Sequence, residues 1–562
     1  MVAHSVLNIE VSQSDSPGAR SMDLLARRAS NDTEVQAVSL ARKSERLTVQ
    51  TGAADLVRSE PGHLQAQLNM LLVSGGDERI WPDAVTGSSK YGTTPTPAPN
   101  EIFFSSSTAS TISPRGYAAA GRVLAAILDQ DRATRLDLED WFDGLRARLL
   151  ALYGIDGAQA VLAGSGTETE LLALAFGRGS TVRPLVNIVV APDETGSGVR
   201  FAAAGQHFLA TTSLQGDVVA RTRLAGWEEA DIRVEAIEIR KPNGDLRPSV
   251  DVDLDAAQIA MRALHNGSDV LLHVLDSSKT GVAGVSREAA ARIAAAAPGR
   301  VTVLVDACQM RCAPARVQSD LHQGFLVMVT GSKFAGGPPF AGALLLPGAL
   351  MPRFAAGANL PRGIGAYSAA LDWPARLRER FTGVFTSPAN LGLGLRWEAA
   401  LAELETLATI PLSLQGAIFT SFAHEVVERV NARPWLRILD GNHPRLPDGR
   451  PRTILPLVMV DHPTPEAAGI IHRKLRAPVT PGDGLANCHV GQPVSLGGAA
   501  ALRLCASAPM ANLVAERMSA GYSLRGAMAP VREDLDRLFA KWSLIRDRIF
   551  KSSDISSVQE FN

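Results

Sequence analysis

The sequence predicts an α/β protein: a three-layer sandwich around a mainly parallel sheet in a large domain, followed by a smaller C-terminal α+β domain. Three observations lead there. Short continuous apolar runs at 186–191 (VNIVVA), 270–275 (VLLHVL), 301–305 (VTVLV) and 325–329 (FLVMV) alternate with helical stretches, as strands covered on both faces do. Between two of these runs, residues 286–297 read as a complete helix, with Ser286 as N-cap and Pro298-Gly299 as its stop. Beyond Asp372 the alternation gives way to long helices and two strands, at 454–460 and 500–506.

Taken in order, residues 1–102 are expected to form a polar, partly flexible N-terminal arm, with one helix near 22–28 and a Gly/Thr/Pro-rich linker at 87–100 (GSSKYGTTPTPAPN). The large domain is assigned to 103–371. It opens with helices at 117–128 and 138–153, then a strand at 161–163 that ends in the glycine turn GSGTE and a helix at 167–176. The small domain is assigned to 372–562. Its helices are expected at 416–431, at 464–475 with Thr464 as cap and Pro465 in the first position, and at 531–549.

Composition narrows the class of protein. The chain has 562 residues, 46% of them hydrophobic, which suffices for domain-scale cores. Lys and Arg total 56 against 57 Asp and Glu, a formal net charge of −1, so no chain-wide basic surface exists for nucleic acid or an anionic membrane. The apolar stretch 340–350 (FAGALLLPGAL) is broken by glycines and Pro347 and is too short to span a bilayer. The start, MVAHSVLNIE, lacks the basic-then-apolar pattern of a secretory signal. Four cysteines form neither a disulfide framework nor paired CxxC motifs. The expectation is a cytoplasmic protein with no nucleic-acid or membrane partner and no metal.

Two motifs stand where a parallel sheet binds ligands. Asp306 closes one apolar run in VDACQ, and Lys333 follows the next run in TGSK, which places both at the carboxyl edge of the sheet. Gly164-Ser165-Gly166-Thr167 lies between a strand and a helix, and backbone N–H groups at a helix start favour an anion. Its spacing fits neither GxGxxG nor the P-loop. A phosphate cradle, a carboxylate that keeps a pyridine nitrogen protonated and a lysine able to form a Schiff base are together the requirements of pyridoxal 5'-phosphate.

On these residues the chain resembles the fold-type I pyridoxal-phosphate enzymes, and among them the class-V aminotransferase and cysteine desulfurase superfamily. The likeness runs over 103–508, with GSGTE, VDACQ, TGSK and LRLCASA in the family's order. It implies that Lys333 is the catalytic Schiff-base lysine, that Asp306 pairs with the pyridine nitrogen and that Gln309 touches the ring's phenolic oxygen. It also implies that Gly166, Thr167, Thr330 and Ser332 hold the phosphate, that Ser278 lies near the ring and that Arg503 clamps the substrate carboxylate. The run 105–108 resembles the segment bordering the family's substrate pocket. Thr386 resembles a phosphate contact lent by a second subunit, which implies a homodimer with its active site near the interface. The implied activity is aminotransfer on a small amino-acid substrate.

Cys488 leaves a second activity open. Its spacing to Arg503 resembles that of the nucleophilic cysteine of a desulfurase or other β-lyase, while a buried structural cysteine fits equally well. The surrounding GLANCHVG departs from the family's RxGHHC, and Thr195 stands where desulfurases carry a histidine stacked on the ring. A third reading keeps the fold as a scaffold or regulatory protein without catalysis. Cys308, Cys312, His207 and His273 are read as core residues, and His424-Glu425 lacks the second histidine of HExxH.

Overall fold

The computed structural model describes residues 61–550 apart from 132–133, 180, 182, 353, 355–359, 382, 481 and 483. The helix expected near 22–28 and most of the N-terminal arm lie outside the described residues. The strands are β1 (Ile102–Phe104), β2 (Gln159–Ala163), β3 (Leu185–Val190), β4 (Ile232–Ile237), β5 (Asp269–Leu275), β6 (Val301–Asp306), β7 (Leu326–Thr330), β8 (Gly342–Leu346), β9 (Leu436–Ile438), β10 (Ile454–Met459), β11 (Cys488–Leu496) and β12 (Ala499–Cys505).

The apolar runs pair into a seven-stranded sheet of order β2-β8-β7-β6-β5-β3-β4. Only β8 runs against its neighbours, pairing antiparallel with both β2 and β7. Strands β3, β5, β7 and β8 are buried along their whole length, because helices cover both faces. One face packs on the helices Leu138–Ala151, Ser249–His265 and Arg287–Ala296, and the other on the helix Gly166–Arg178. This is the three-layer α/β architecture that the alternating pattern predicts. Ser286 caps its helix by accepting the Ala289 N–H, and Thr464 caps Pro465–Leu475 by accepting the Ala467 N–H.

A smaller mixed sheet of order β1-β11-β12-β10-β9 packs on the helices Leu412–Asn431, Pro465–Leu475, Ala508–Ser519 and Ala529–Phe550. Its membership differs from the expected division of the chain in two places. Ile102–Phe104 lies in this sheet, parallel to β11 with Ile102 opposite Cys488. Conversely, the helix Leu391–Ala408 buries Leu393, Trp397 and Leu401 in the core of the large sheet. Both segments are apolar on the side they bury, and that complementarity, rather than chain order, decides their location.

The end of the N-terminal arm packs Leu68, Leu71 and Leu72 into the large-sheet core, and one guanidinium ties its backbone there. Arg396 is fully buried on Leu391–Ala408 and donates to the carbonyls of Leu72 at 3.2 Å, Ser74 at 2.6 Å, Gly75 at 3.1 Å and Phe340 at 2.7 Å. Four acceptors compensate the loss of hydration. The linker at 87–100 contains turns and no regular element.

Candidate active site

Three strand ends converge at the carboxyl edge of the large sheet. After β2 the chain turns at Gly164 and enters the helix Gly166–Arg178, whose N-cap Ser165 accepts the Glu168 N–H at 3.3 Å. The amides of Gly166 and Thr167, at the first two helical positions, have no intrahelical acceptor. A Cβ at Gly166 would lie 2.9 Å from Cys308 Sγ, so glycine is what lets this helix start close to the end of β6. There the Asp306 Oδ1 accepts the Cys308 N–H at 3.0 Å, and the Thr330 hydroxyl donates to the Cys308 carbonyl at 2.7 Å. The end of β7 is thereby tied to the VDACQ turn.

Lys333 follows on a turn pressed against Leu391–Ala408, where a Cβ at Gly331 would meet Ala400 Cβ at 2.6 Å. Its carbonyl accepts the Gly336 N–H and the Ser110 hydroxyl, each at 3.0 Å. Gln309 donates from Nε2 to the Ser107 carbonyl at 3.1 Å, while its Oε1 is buried without a donor. A buried acceptor left open inside a functional cleft marks a place for a ligand. Gly166, Thr167, Asp306, Gln309, Thr330, Ser332 and Lys333 all line one cavity of about 160 Å³. A lysine, a carboxylate and a helix N-terminus lining one small cavity can hold an anionic, carbonyl-bearing heterocycle, which fits pyridoxal phosphate.

Several solved structures resemble the chain distantly. Cysteine desulfurase CsdA (S-sulfonic acid) from Escherichia coli is 14% identical, with a TM-score of 0.48 over 80% of this chain and 95% of that one. A phosphoserine aminotransferase from Cytophaga hutchinsonii is 13% identical, with a TM-score of 0.46 over 78% of this chain and 99% of that one. The 4-hydroxyphenylacetaldehyde synthase of Rhodiola rosea is 13% identical, with a TM-score of 0.46 over 93% and 98%. These are distant likenesses of fold. No protein-family profile matches the chain, and no curated protein matches it in sequence.

Ser107 and Thr108 of the run 105–108 line the cavity, as does Thr195, whereas Ser278, Arg503, Thr386 and Cys488 lie outside it. Ser278 is buried and donates to Glu194 Oε2 at 2.9 Å, while its neighbours Ser277 and Lys279 line the wall. Arg503 stands one layer behind the wall residues Thr108 and Gln492, donating from Nη2 to the Thr108 hydroxyl at 2.8 Å and to the Gln492 carbonyl at 2.5 Å. Its Nε and Nη1 are buried without an acceptor, and burial lowers its pKa to about 10. Thr386 is exposed, with its hydroxyl accepting from Gln215 at 3.2 Å.

Cys488 sits in the small-sheet core, 1% exposed, and its thiol donates to the Ala486 carbonyl at 3.4 Å. Burial pushes its pKa up to about 11, the opposite of what a nucleophilic thiol needs. Cys308 packs in a hydrophobic core as expected and also borders the cavity, and burial and then the Asp306 charge hold its thiol well above the usual range. His273 lies beneath the cavity with Nε2 3.2 Å from Glu170 Oε1. Among the described residues no cluster of three or more metal-ligating side chains occurs.

Among the wall residues that the sequence left unassigned are Arg79, Tyr91, Glu194 and Lys279. Arg79 grips Asp77 through Nε and Nη2 at 2.8 and 2.7 Å and lies 4.9 Å over the Phe340 ring. Phe340 itself adopts φ +73°, a strained conformation for an aromatic residue, which Arg396 holds through the Phe340 carbonyl. Arg79 comes from the polar arm and Tyr91 from the stretch 87–100 whose composition reads as linker, so no signal marked them. Lys279 did carry one: it follows the end of β5 as Lys333 follows β7.

Proposed function

We propose that this chain is a pyridoxal-phosphate-dependent enzyme that acts on an amino acid, with aminotransfer as its reaction. One observation carries the reading: Lys333 and Asp306 share a single cavity with the N-terminal residues of the helix Gly166–Arg178. Lys333 Nζ would anchor the cofactor, Asp306 would face its ring nitrogen, and Gly166, Thr167 and Ser332 would hold its phosphate. When bound, pyridoxal phosphate supplies an electron sink for charge developing at the substrate's α-carbon.

The chain's own groups do the rest. The Asp306 carboxylate would accept from the protonated ring nitrogen of a bound cofactor, a charge-assisted hydrogen bond. Gln309, fixed by its bond to Ser107, orients the ring. The Lys333 amine would take the proton from the substrate's α-carbon and deliver it to the cofactor carbon that carries the amino group, which is what moves that group off the substrate. Arg503, with two unpaired nitrogens behind Thr108 and Gln492, supplies positive potential for the substrate carboxylate.

Aminotransfer needs no group beyond these. A desulfurase, or a β-lyase that works through Cys488, needs that thiol to be reactive, and the burial of Cys488 gives that reading no support. The exposure of Thr386 suits a residue lent to a second subunit, so the proposed enzyme is a homodimer. The test is to load the purified chain with pyridoxal phosphate and screen amino acids for keto-acid formation that depends on a keto-acid acceptor. A chain that takes up no cofactor, or that releases sulfide or alanine from cysteine without an acceptor, overturns the assignment.

A further inference from the structure

A second lysine lines the cavity. Lys279 lies in the turn after β5, where its N–H donates to the Glu194 carbonyl at 2.8 Å and the flanking Gly281 N–H donates to the Ser278 carbonyl at 3.0 Å. The backbone is thus held on both sides of the residue. The acids that influence its charge are engaged elsewhere. Glu194 accepts from Arg240 Nε at 2.5 Å through Oε1, and from Ser278 and Thr280 through Oε2. Asp193 lies on the surface, 3.6 Å from Arg200.

The charges that press on Lys279 are positive. Burial, followed by the like charges of Arg503 and Lys333, depresses its pKa to about 7. Arg503 adds a guanidinium one layer behind the same wall, with Nε and Nη1 buried and unpaired. Lys279 thus shares the cavity with Lys333 and Arg79, with Arg503 behind its wall; Asp77 answers Arg79, Arg240 engages Glu194 and Asp306 is assigned to the ring nitrogen, so neither Lys279 nor Arg503 has an ion pair among the described residues. An anion placed between them would relieve both their mutual repulsion and the cost of their burial. One α-carboxylate can occupy only one of these positions.

We propose that Lys279 binds a second anionic group of the substrate, so that the cavity selects amino acids, and their keto-acid partners, that carry an acidic side chain. Arg503, acting behind Thr108 and Gln492, then serves the α-carboxylate, and Lys279 the distal anion. This specificity rests on the amino-acid reading above.

The test uses the full chain loaded with pyridoxal phosphate, titrated calorimetrically with L-glutamate, O-phospho-L-serine and L-alanine. Lys279→Met is expected to weaken both acidic ligands by about tenfold or more, the scale of one charge-assisted hydrogen bond, and to leave L-alanine nearly unchanged. Lys279→Arg should retain most of the acidic preference, which separates loss of charge from loss of packing. A wild-type chain that loads with cofactor but binds alanine as tightly as the acidic ligands overturns the second-anion site alone. Equal weakening of all three ligands in Lys279→Met overturns it as well. Failure of the wild-type chain to load, read by absorbance before any ligand is added, overturns the amino-acid reading and this specificity with it.

Discussion

Ser110 holds the backbone of Lys333. Its hydroxyl donates to the Lys333 carbonyl at 3.0 Å and its N–H to the Ser332 carbonyl at 3.2 Å. Three residues earlier, the Ser107 carbonyl accepts from Gln309. A single segment therefore braces both turns of the site, and the lysine amine is left free while its backbone is fixed.

Ser110→Ala removes one of these braces without opening a cavity. The expected cost is about 1 kcal/mol, seen as a small drop in the urea midpoint together with faster loss of pyridoxal phosphate on dialysis. An unchanged midpoint with unchanged retention would show that the brace does not position Lys333.

Arg240 joins the cavity wall to β9's end of the small sheet. It binds Glu194 at 2.5 Å and Asp440 at 2.9 and 3.0 Å, with 7% of its side chain exposed against 5% for Glu194. Arg240→Met leaves the Glu194 carboxylate buried without its charge partner, at a cost of about 3–5 kcal/mol. Adding Glu194→Gln should recover part of that loss, and urea unfolding of the single and double variants measures the coupling.

Glu168 predicts a pH dependence of stability. Burial, then the charge of Asp77, pushes its carboxyl from 4.5 up to about 8, and Asp372 is raised by burial to about 7. Between the ordinary carboxylate range and those values the folded chain keeps protons that the unfolded chain releases. Stability from these groups is therefore full below about pH 4.5 and declines until the folded-state pKa is passed. Glu168→Gln should gain stability relative to wild type as pH rises from 5 to 8, by more than about 1.4 kcal/mol, one unit of pKa. Equal differences at both ends of that range would contradict the shift.

Cys488 should be inert. With its pKa near 11 and 1% exposure, iodoacetamide at pH 8 is expected to leave it unmodified in the native protein and to label it in urea, as peptide masses would report. Cys488→Ser should not change turnover of any amino acid, and a large loss of cysteine turnover would restore the desulfurase reading.

Much of the site was legible because its residues punctuate strong elements. Asp306 and Lys333 each follow a buried apolar strand, and GSGTE links a strand to a helix, so topology alone places them at one edge of the sheet. The large sheet was legible for the same reason. The small sheet was legible only in part: Leu436–Ile438 is too short to show a period, and Cys488–Leu496 is interrupted by Gly491 and Pro493, where its register with β12 shifts. Arg79 and Tyr91 escaped because tertiary contacts through Arg396, and not local pattern, bring their segment to the cavity.

The central claim is that Lys333 is the cofactor lysine, and the most direct measurement is covalent trapping. The full chain is incubated with pyridoxal phosphate, reduced with borohydride, digested and mapped by peptide mass. The account predicts a pyridoxyl adduct on Lys333 that is lost in Lys333→Ala, with Lys279 unmodified. An adduct on Lys279 in its place, or no specific adduct at all, would contradict it.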